Sequence, residues 1–103
     1  MDQQPVLTVF RSRLRDDAGD LYDRTAARML ELARGMPGFI DFKQFRGDDG
    51  ERVSIIVFDS IEHEAAWRHH PEHTEAQRLG RANFYSSYDI SVCEVLRRSV
   101  FPT

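Results

Sequence analysis

A single cysteine, Cys93, leaves no partner for an intramolecular disulfide and no thiolate cluster for a metal. No apolar run approaches the roughly 18 residues that a membrane helix needs. The amino-terminal MDQQPVLTVFR lacks the basic start and long apolar core of a signal peptide. These absences point to a soluble protein of a reducing cytoplasm with no membrane partner. Excess positive charge is also missing: the formal net charge is −3 and basic residues are scattered among acids. The pairs Arg13-Arg15 and Arg97-Arg98 are too short to form a basic patch, so a nucleic-acid partner is not expected. The glycines at 35, 38, 47, 50 and 80 lack the spacing of a phosphate-binding loop and read as punctuation. Nothing suggests a nucleophilic triad.

What is present is enough apolar and aromatic residue, 41% and 11%, to build one core in 103 residues. The chain reads as a single domain over 1–103, with its core at about 5–98. Its apolar period switches along the chain, and that sets the order of elements. Val6 to Leu14 reads as a strand. Asp16 or Asp17 offers an N-cap for a helix whose buried stripe is Leu21, Tyr22, Thr25, Ala26, Met29, Leu32, Ala33 and Met36. Gly35 and Pro37-Gly38 end it. Phe39 to Arg46 and Arg52 to Asp59 are two strands joined by a tight Gly47–Gly50 turn. Asp59 or Ser60 caps a short helix through Trp67, with Glu62 placed for a capping box. Pro71 opens a further helical segment to about Asn83. Tyr88 to Arg98 is the last strand, followed by a tail. The order β-α-β-β-α-β is that of a ferredoxin-like α+β domain, a four-stranded antiparallel sheet with helices on one face.

A sheet covered on one face only should alternate apolar and polar residues. These strands do not. Val53, Ile55 and Val57 point one way while Ile56 and Phe58 point the other. Leu7 and Val9 oppose Val6 and Phe10; Ile40 and Phe42 oppose Phe39 and Phe45. Ile90, Val92 and Leu96 oppose Cys93 and Val95. Fully hiding one large side chain is worth roughly 1.5–3 kcal/mol, so half a dozen on the second face would drive self-association strongly. A homodimer is the expectation. Phe10, Phe42 and Phe58 read as core or dimer packing, and Cys93 as an inert core residue.

Trp67, the one tryptophan, reads either as a buried anchor or as a pocket wall whose indole N–H holds a ligand oxygen. His69, His70 and His73 form the one cluster of near-neutral titratable groups. Pro71 falls among them, so helical metal-ligand spacing does not follow, and no metal is expected. His69 and His70 suit cap-and-turn roles, and His73 is the better general base. His73, Gln77 and Arg81 recur every four residues as one polar stripe, which Tyr85 extends if the helix continues. That stripe is either a solvated face or the mouth of a cavity, where Arg81 would offset an anionic enolate.

Three segments, MLELARGMPGFIDFKQF, DGERVSIIVFDS and EAAWRHHPEHTEAQRLGRANFYSSYDISVCEV, resemble the antibiotic biosynthesis monooxygenase domains, which are dimeric ferredoxin-like α+β barrels. The resemblance spans Val6 to Arg98. It implies a cavity in each subunit between sheet and helices. It also implies oxygenation of a small aromatic, phenolic or quinonoid ligand without flavin, haem or metal, with molecular oxygen as co-substrate. Such enzymes rely on Trp, Asn, Tyr and Arg. Trp67 and Arg81 would take the first and last parts, and His63 and His73 stand where Asn and Tyr would be. The resemblance therefore implies His73, Arg81 and Trp67 as catalytic residues, and His63, Gln77, Tyr85 and Tyr22 as ligand contacts. Haem-degrading relatives carry an iron-ligating His where Gln77 stands and an Asn that the first strand lacks. Other members of the superfamily are cyclases, isomerases and non-catalytic binding or regulatory dimers.

Overall fold

The computed structural model describes residues 4–103. Its elements are β1 (Val6–Leu14), α1 (Gly19–Arg34), β2 (Phe39–Arg46), β3 (Arg52–Phe58), α2 (Ile61–Arg68), α3 (Pro71–Leu79) and β4 (Tyr85–Glu94). One π-helical turn, Gly80–Phe84, joins α3 to β4. The four strands form one antiparallel sheet in the order β2-β3-β1-β4, the ferredoxin-like arrangement. Among the described residues, no helix is long and apolar enough to cross a membrane.

The element boundaries have local causes. Asp17 does not cap α1, because its carboxylate accepts two hydrogen bonds from Arg15, each 3.0 Å. The helix instead begins at Gly19, whose φ of 66° suits glycine. Ser60 caps α2, its Oγ accepting from the His63 N–H at 3.2 Å. His63 therefore occupies the third helical position, and the capping box expected of Glu62 does not form. Pro71 opens α3 at a position where a missing N–H costs nothing, and the His70 ring accepts from the Glu72 N–H. The α-helix stops at Leu79, and the π-helical turn carries the helical segment on to Phe84, about as far as the expected Asn83. β4 starts at Tyr85 rather than Tyr88 because Tyr85 pairs with Leu14 and Ser87 with Arg13. It ends at Glu94, which leaves Leu96 fully outside the sheet, 95% exposed.

Register divides the side chains between two faces. Val6 opposite Phe58 and Thr8 opposite Ile56 lie on the helix-covered side. Packed there are Ala33 from α1, Trp67 from α2, and Ile56 and Phe58, with Met29, Leu32, Met36, Phe39 and Phe42 around them. Phe39 joins Phe42 on this side because a bulge between Phe39 and Asp41 shifts the β2 register. The expected opposition of these two residues is corrected by that bulge, and Ile40 is left half exposed. On the open side β1 and β3 align Leu7 with Val57, Val9 with Ile55 and Arg11 with Val53, all but Arg11 apolar. Phe45 pairs with Val53 and Cys93 with Leu7, so Cys93 is an exposed residue of this face rather than a core one.

The core is lopsided. It fills the space over β2 and β3, where α1 and α2 pack. Over β1 and β4 stands α3, which has no buried residue and packs against α1, α2 and the π-helical turn rather than the sheet. Apolar side chains on the helix side of β4 are accordingly open: Tyr88, Ile90 and Val92 are each more than two-fifths exposed. The space that α3 roofs without filling is the cavity.

Candidate active site

That cavity has a volume of about 520 Å³, within the usual range for a small-molecule site. Its floor is Thr8 and Phe10 of β1, Phe42 and Gln44 of β2, Ser54 and Ile56 of β3, and the open residues of β4. Its walls come from α1, α2, α3 and the π-helical turn.

Five aromatic rings make one end. The Tyr85 ring meets Phe10 edge-on at 5.3 Å, Tyr22 at 6.1 Å, Tyr88 at 5.9 Å and Phe84 at 6.4 Å. The π-helical turn positions it, since a wider turn at the end of α3 carries Phe84 inward just before the chain enters β4. Gly80 lies directly against the Tyr85 ring. The Tyr22 hydroxyl accepts a hydrogen bond from Arg52 Nη1 at 3.1 Å, and the Arg52 guanidinium lies 5.5 Å from the Tyr22 ring centre. Burial raises the Tyr85 phenol above its usual range, with Tyr22 adding to the shift and Arg52 opposing it. Tyr85 therefore stays a neutral donor.

The other end holds the charged groups. Trp67 is buried, 4% exposed, and stacks on the His73 ring at 4.0 Å with the planes 16° apart. His73 Nδ1 lies 3.1 Å from the Trp67 carbonyl oxygen. A carbonyl can only accept, so Nδ1 carries the proton and Nε2 is the free basic nitrogen. The last carbonyls of α2 need donors, and this ring from α3 supplies one. Burial lowers the His73 pKa, only partly offset by the Trp67 and Arg68 carbonyls and the charge of Glu64. The imidazole is neutral near pH 7.

Behind it, Glu64 is 1% exposed. Its carboxylate accepts from Arg68 Nε at 3.0 and 3.3 Å and from Nη2 at 3.1 Å. The three residues Glu64, Trp67 and Arg68 share one face of α2 by their spacing of three and four.

The structure thus brings together Trp67, His73, Gln77, Arg81, Tyr85 and Tyr22, all lining the cavity. The polar stripe of α3 faces inward. Tyr85 joins it as the first residue of β4, not as a continuation of the helix. His63 does not belong to the site. Its Nδ1 lies 2.6 Å from Asp59 Oδ1, and the pair rests against Gly38 at the start of β2, away from the cavity lining. Asp59 and the Ser60 cap hold His63 in the first turn of α2, at the end of the helix away from Trp67. His69 is exposed and His70 caps α3. No group of three or more His, Cys, Asp or Glu that could hold a metal occurs among the described residues. Phe10 and Phe42 line the cavity as well as packing, while Phe58 alone is fully core. Sequence reasoning missed Glu64 and Arg68, although the Glu-x-x-x-Arg spacing around Trp67 was available as a signal.

Several known proteins resemble this chain in sequence or in fold. A curated Bacillus subtilis (strain 168) protein, the uncharacterized YqjZ, is 34% identical over 99 residues, 96% of this chain and 87% of that protein. SnoaB from Streptomyces nogalater, described as a cofactor-independent oxygenase, superposes with a TM-score of 0.77 at 19% identity, covering 97% of this chain and 99% of SnoaB. Rv0793 from Mycobacterium tuberculosis superposes with a TM-score of 0.80 at 18% identity, covering 93% and 99%. The model of the antibiotic biosynthesis monooxygenase family matches residues 5–79, nearly three-quarters of the chain, and the chain belongs to that family.

Proposed function

We propose that the protein is a cofactor-independent monooxygenase acting on a small aromatic substrate of phenolic or quinonoid type. The observation that carries this reading is the neutral His73 ring, pinned at Nδ1 and free at Nε2, on the wall of an apolar cavity that a flat ring system would fill.

In the proposed reaction, His73 Nε2 takes a proton from an activated ring methylene flanked by aryl groups, as in an anthrone. The electron pair spreads onto the substrate's carbonyl oxygen, and the carbanion transfers an electron to O₂. The radical pair joins through a new C–O bond to give a peroxide anion, which recovers the proton from His73. Loss of the second methylene proton, with departure of hydroxide from the O–O bond, leaves a carbonyl and one water. The carbon gives up four electrons and O₂ takes them. Trp67 shields His73 from water, and the aromatic end clamps the ring plane. Gln77 and Arg81 line the same wall, where they suit contact with substrate oxygens.

Oxygen uptake on adding an anthrone tests the reading. His73→Gln should lower the rate by about 10²–10⁴-fold, the usual worth of a positioned base. Undiminished uptake in that variant removes His73 from the chemistry. Proton exchange into the ligand without oxygen uptake would instead mark an isomerase or cyclase.

We also infer that the protein works as a homodimer joined through the open sheet face. The support is the aligned row Leu7, Val9, Val53, Ile55 and Val57, with Phe45 beside it. These residues are too apolar a set for a face left in water.

A further inference from the structure

We propose that Arg68, braced by Glu64, is the group that receives the acidic oxygen of the ligand at the His73 end of the cavity. The inference rests on the reading of this cavity as a site for phenolic or enolic ligands and adds the residue that selects them.

Geometry carries the argument. A guanidinium has five N–H donors in a fixed plane. Glu64 engages Nε and one edge of Nη2. Arg68 makes no other hydrogen bond among the described residues, which leaves Nη1 and the far edge of Nη2 unused on a side chain that lines the cavity. Glu64 cannot turn away to solvent, being 1% exposed and set one helical turn before Arg68. The Arg68 side chain is 43% exposed, yet its Nε–Nη2 edge is anchored to a buried acceptor before any ligand arrives, which cuts the cost of ordering it on binding. A carboxylate buried beside an apolar cavity is an expensive feature for packing alone. As a brace for a forked donor it has a use.

Position also favours Arg68 over Arg81 for this part. His73 is tethered to the α2 terminus at Trp67, the residue next to Arg68. A ligand oxygen on Arg68 Nη1 would bring the adjoining ring carbon to the His73 side. Arg81 is an exposed residue of the π-helical turn, set next to Gly80 and the Tyr85 ring at the aromatic end. Glu64 in this scheme is a positioning residue.

The test uses alizarin, a dihydroxyanthraquinone with an acidic phenol, and alizarin dimethyl ether, which has the same ring system without that phenol. Binding is read by quenching of Trp67, the chain's one tryptophan. The wild type should prefer alizarin by about tenfold or more, the worth of hydrogen bonds to a charged group. Arg68→Lys keeps a cation beside Glu64 but loses the fork, and the preference should fall. Glu64→Gln with Arg68→Met removes both charges, so no lone carboxylate is buried, and the preference should collapse toward unity. Circular dichroism establishes that each variant is folded. A folded variant that keeps the wild-type preference overturns the proposal, as does one that weakens both compounds alike. Binding of neither compound by the wild type sinks this inference and the functional reading together. A clear Arg68-dependent preference without oxygen uptake leaves the inference standing and removes the oxygenase reading alone.

Discussion

Gly80 offers a substitution whose outcome depends on which of two opposing effects is larger. It sits at the C-terminus of α3 with φ −58° and ψ −50°, a helical conformation that any residue adopts. On backbone grounds alone, Gly80→Ala should stabilise the fold by about 0.8–1 kcal/mol. A methyl group there would stand 2.7 Å from Tyr85 Cε2 and 3.0 Å from Cδ2, closer than side-chain carbons pack. The ring cannot simply swing aside, because Phe10, Tyr22, Phe84 and Tyr88 surround it edge-on. Overpacking of this kind costs about 1–3 kcal/mol. The net expectation is a loss of roughly 0–2 kcal/mol, and about 1 at the centre of the range. For a domain of this size that lowers the melting midpoint by about 4–8 °C. Thermal unfolding followed by circular dichroism measures it. Ligand affinity should fall too, since the displaced phenol ring belongs to the aromatic end of the cavity. A Gly80→Ala protein with a raised melting midpoint would show that the Tyr85 ring yields freely, and the argument for a rigid aromatic end would fail.

Two further outcomes follow from the same structure. The His73 pKa is lowered in the folded state by burial, so below an ordinary imidazole value of about 6.5 the unfolded chain takes up the proton more readily. Its contribution is thus complete above that pH and is lost as the pH falls further. Urea unfolding of His73→Gln should show a shallower loss of stability on acidification than the wild type, and parallel curves would refute the burial argument. Ile55, in the middle of the open sheet face, should be replaceable by Asp without unfolding the chain. Sedimentation should then find Ile55→Asp monomeric at concentrations where the wild type is dimeric; a wild type that sediments as a monomer overturns the dimer.

Much of the architecture was legible along the chain because period-two and period-3.6 patterns are local properties. The Leu21-to-Met36 stripe, the hairpin glycines and Pro71 each act within a few residues of themselves. Boundaries decided by competition were not legible. Asp17 is a sound cap by type, yet Arg15 claims its carboxylate. Tyr85 and Ser87 precede the expected strand start at Tyr88, yet Leu14 and Arg13 of β1 supply the partners that make them strand. A one-residue bulge turned Phe39 to the core side, and bulges depend on the facing strand.

The site divides in the same way. From the sequence alone came the stripe of His73, Gln77 and Arg81, because residues four apart on a helix share a face wherever the helix goes, and Trp67 as a candidate pocket wall. Tertiary structure alone decided that this face turns inward, that α3 roofs a space it does not fill, and that His73 is anchored by a carbonyl of the preceding helix. It also decided that His63 belongs to Asp59 and that Glu64 is buried with Arg68. Those facts depend on which elements meet, and meeting is settled by packing across the whole chain rather than by any segment of it.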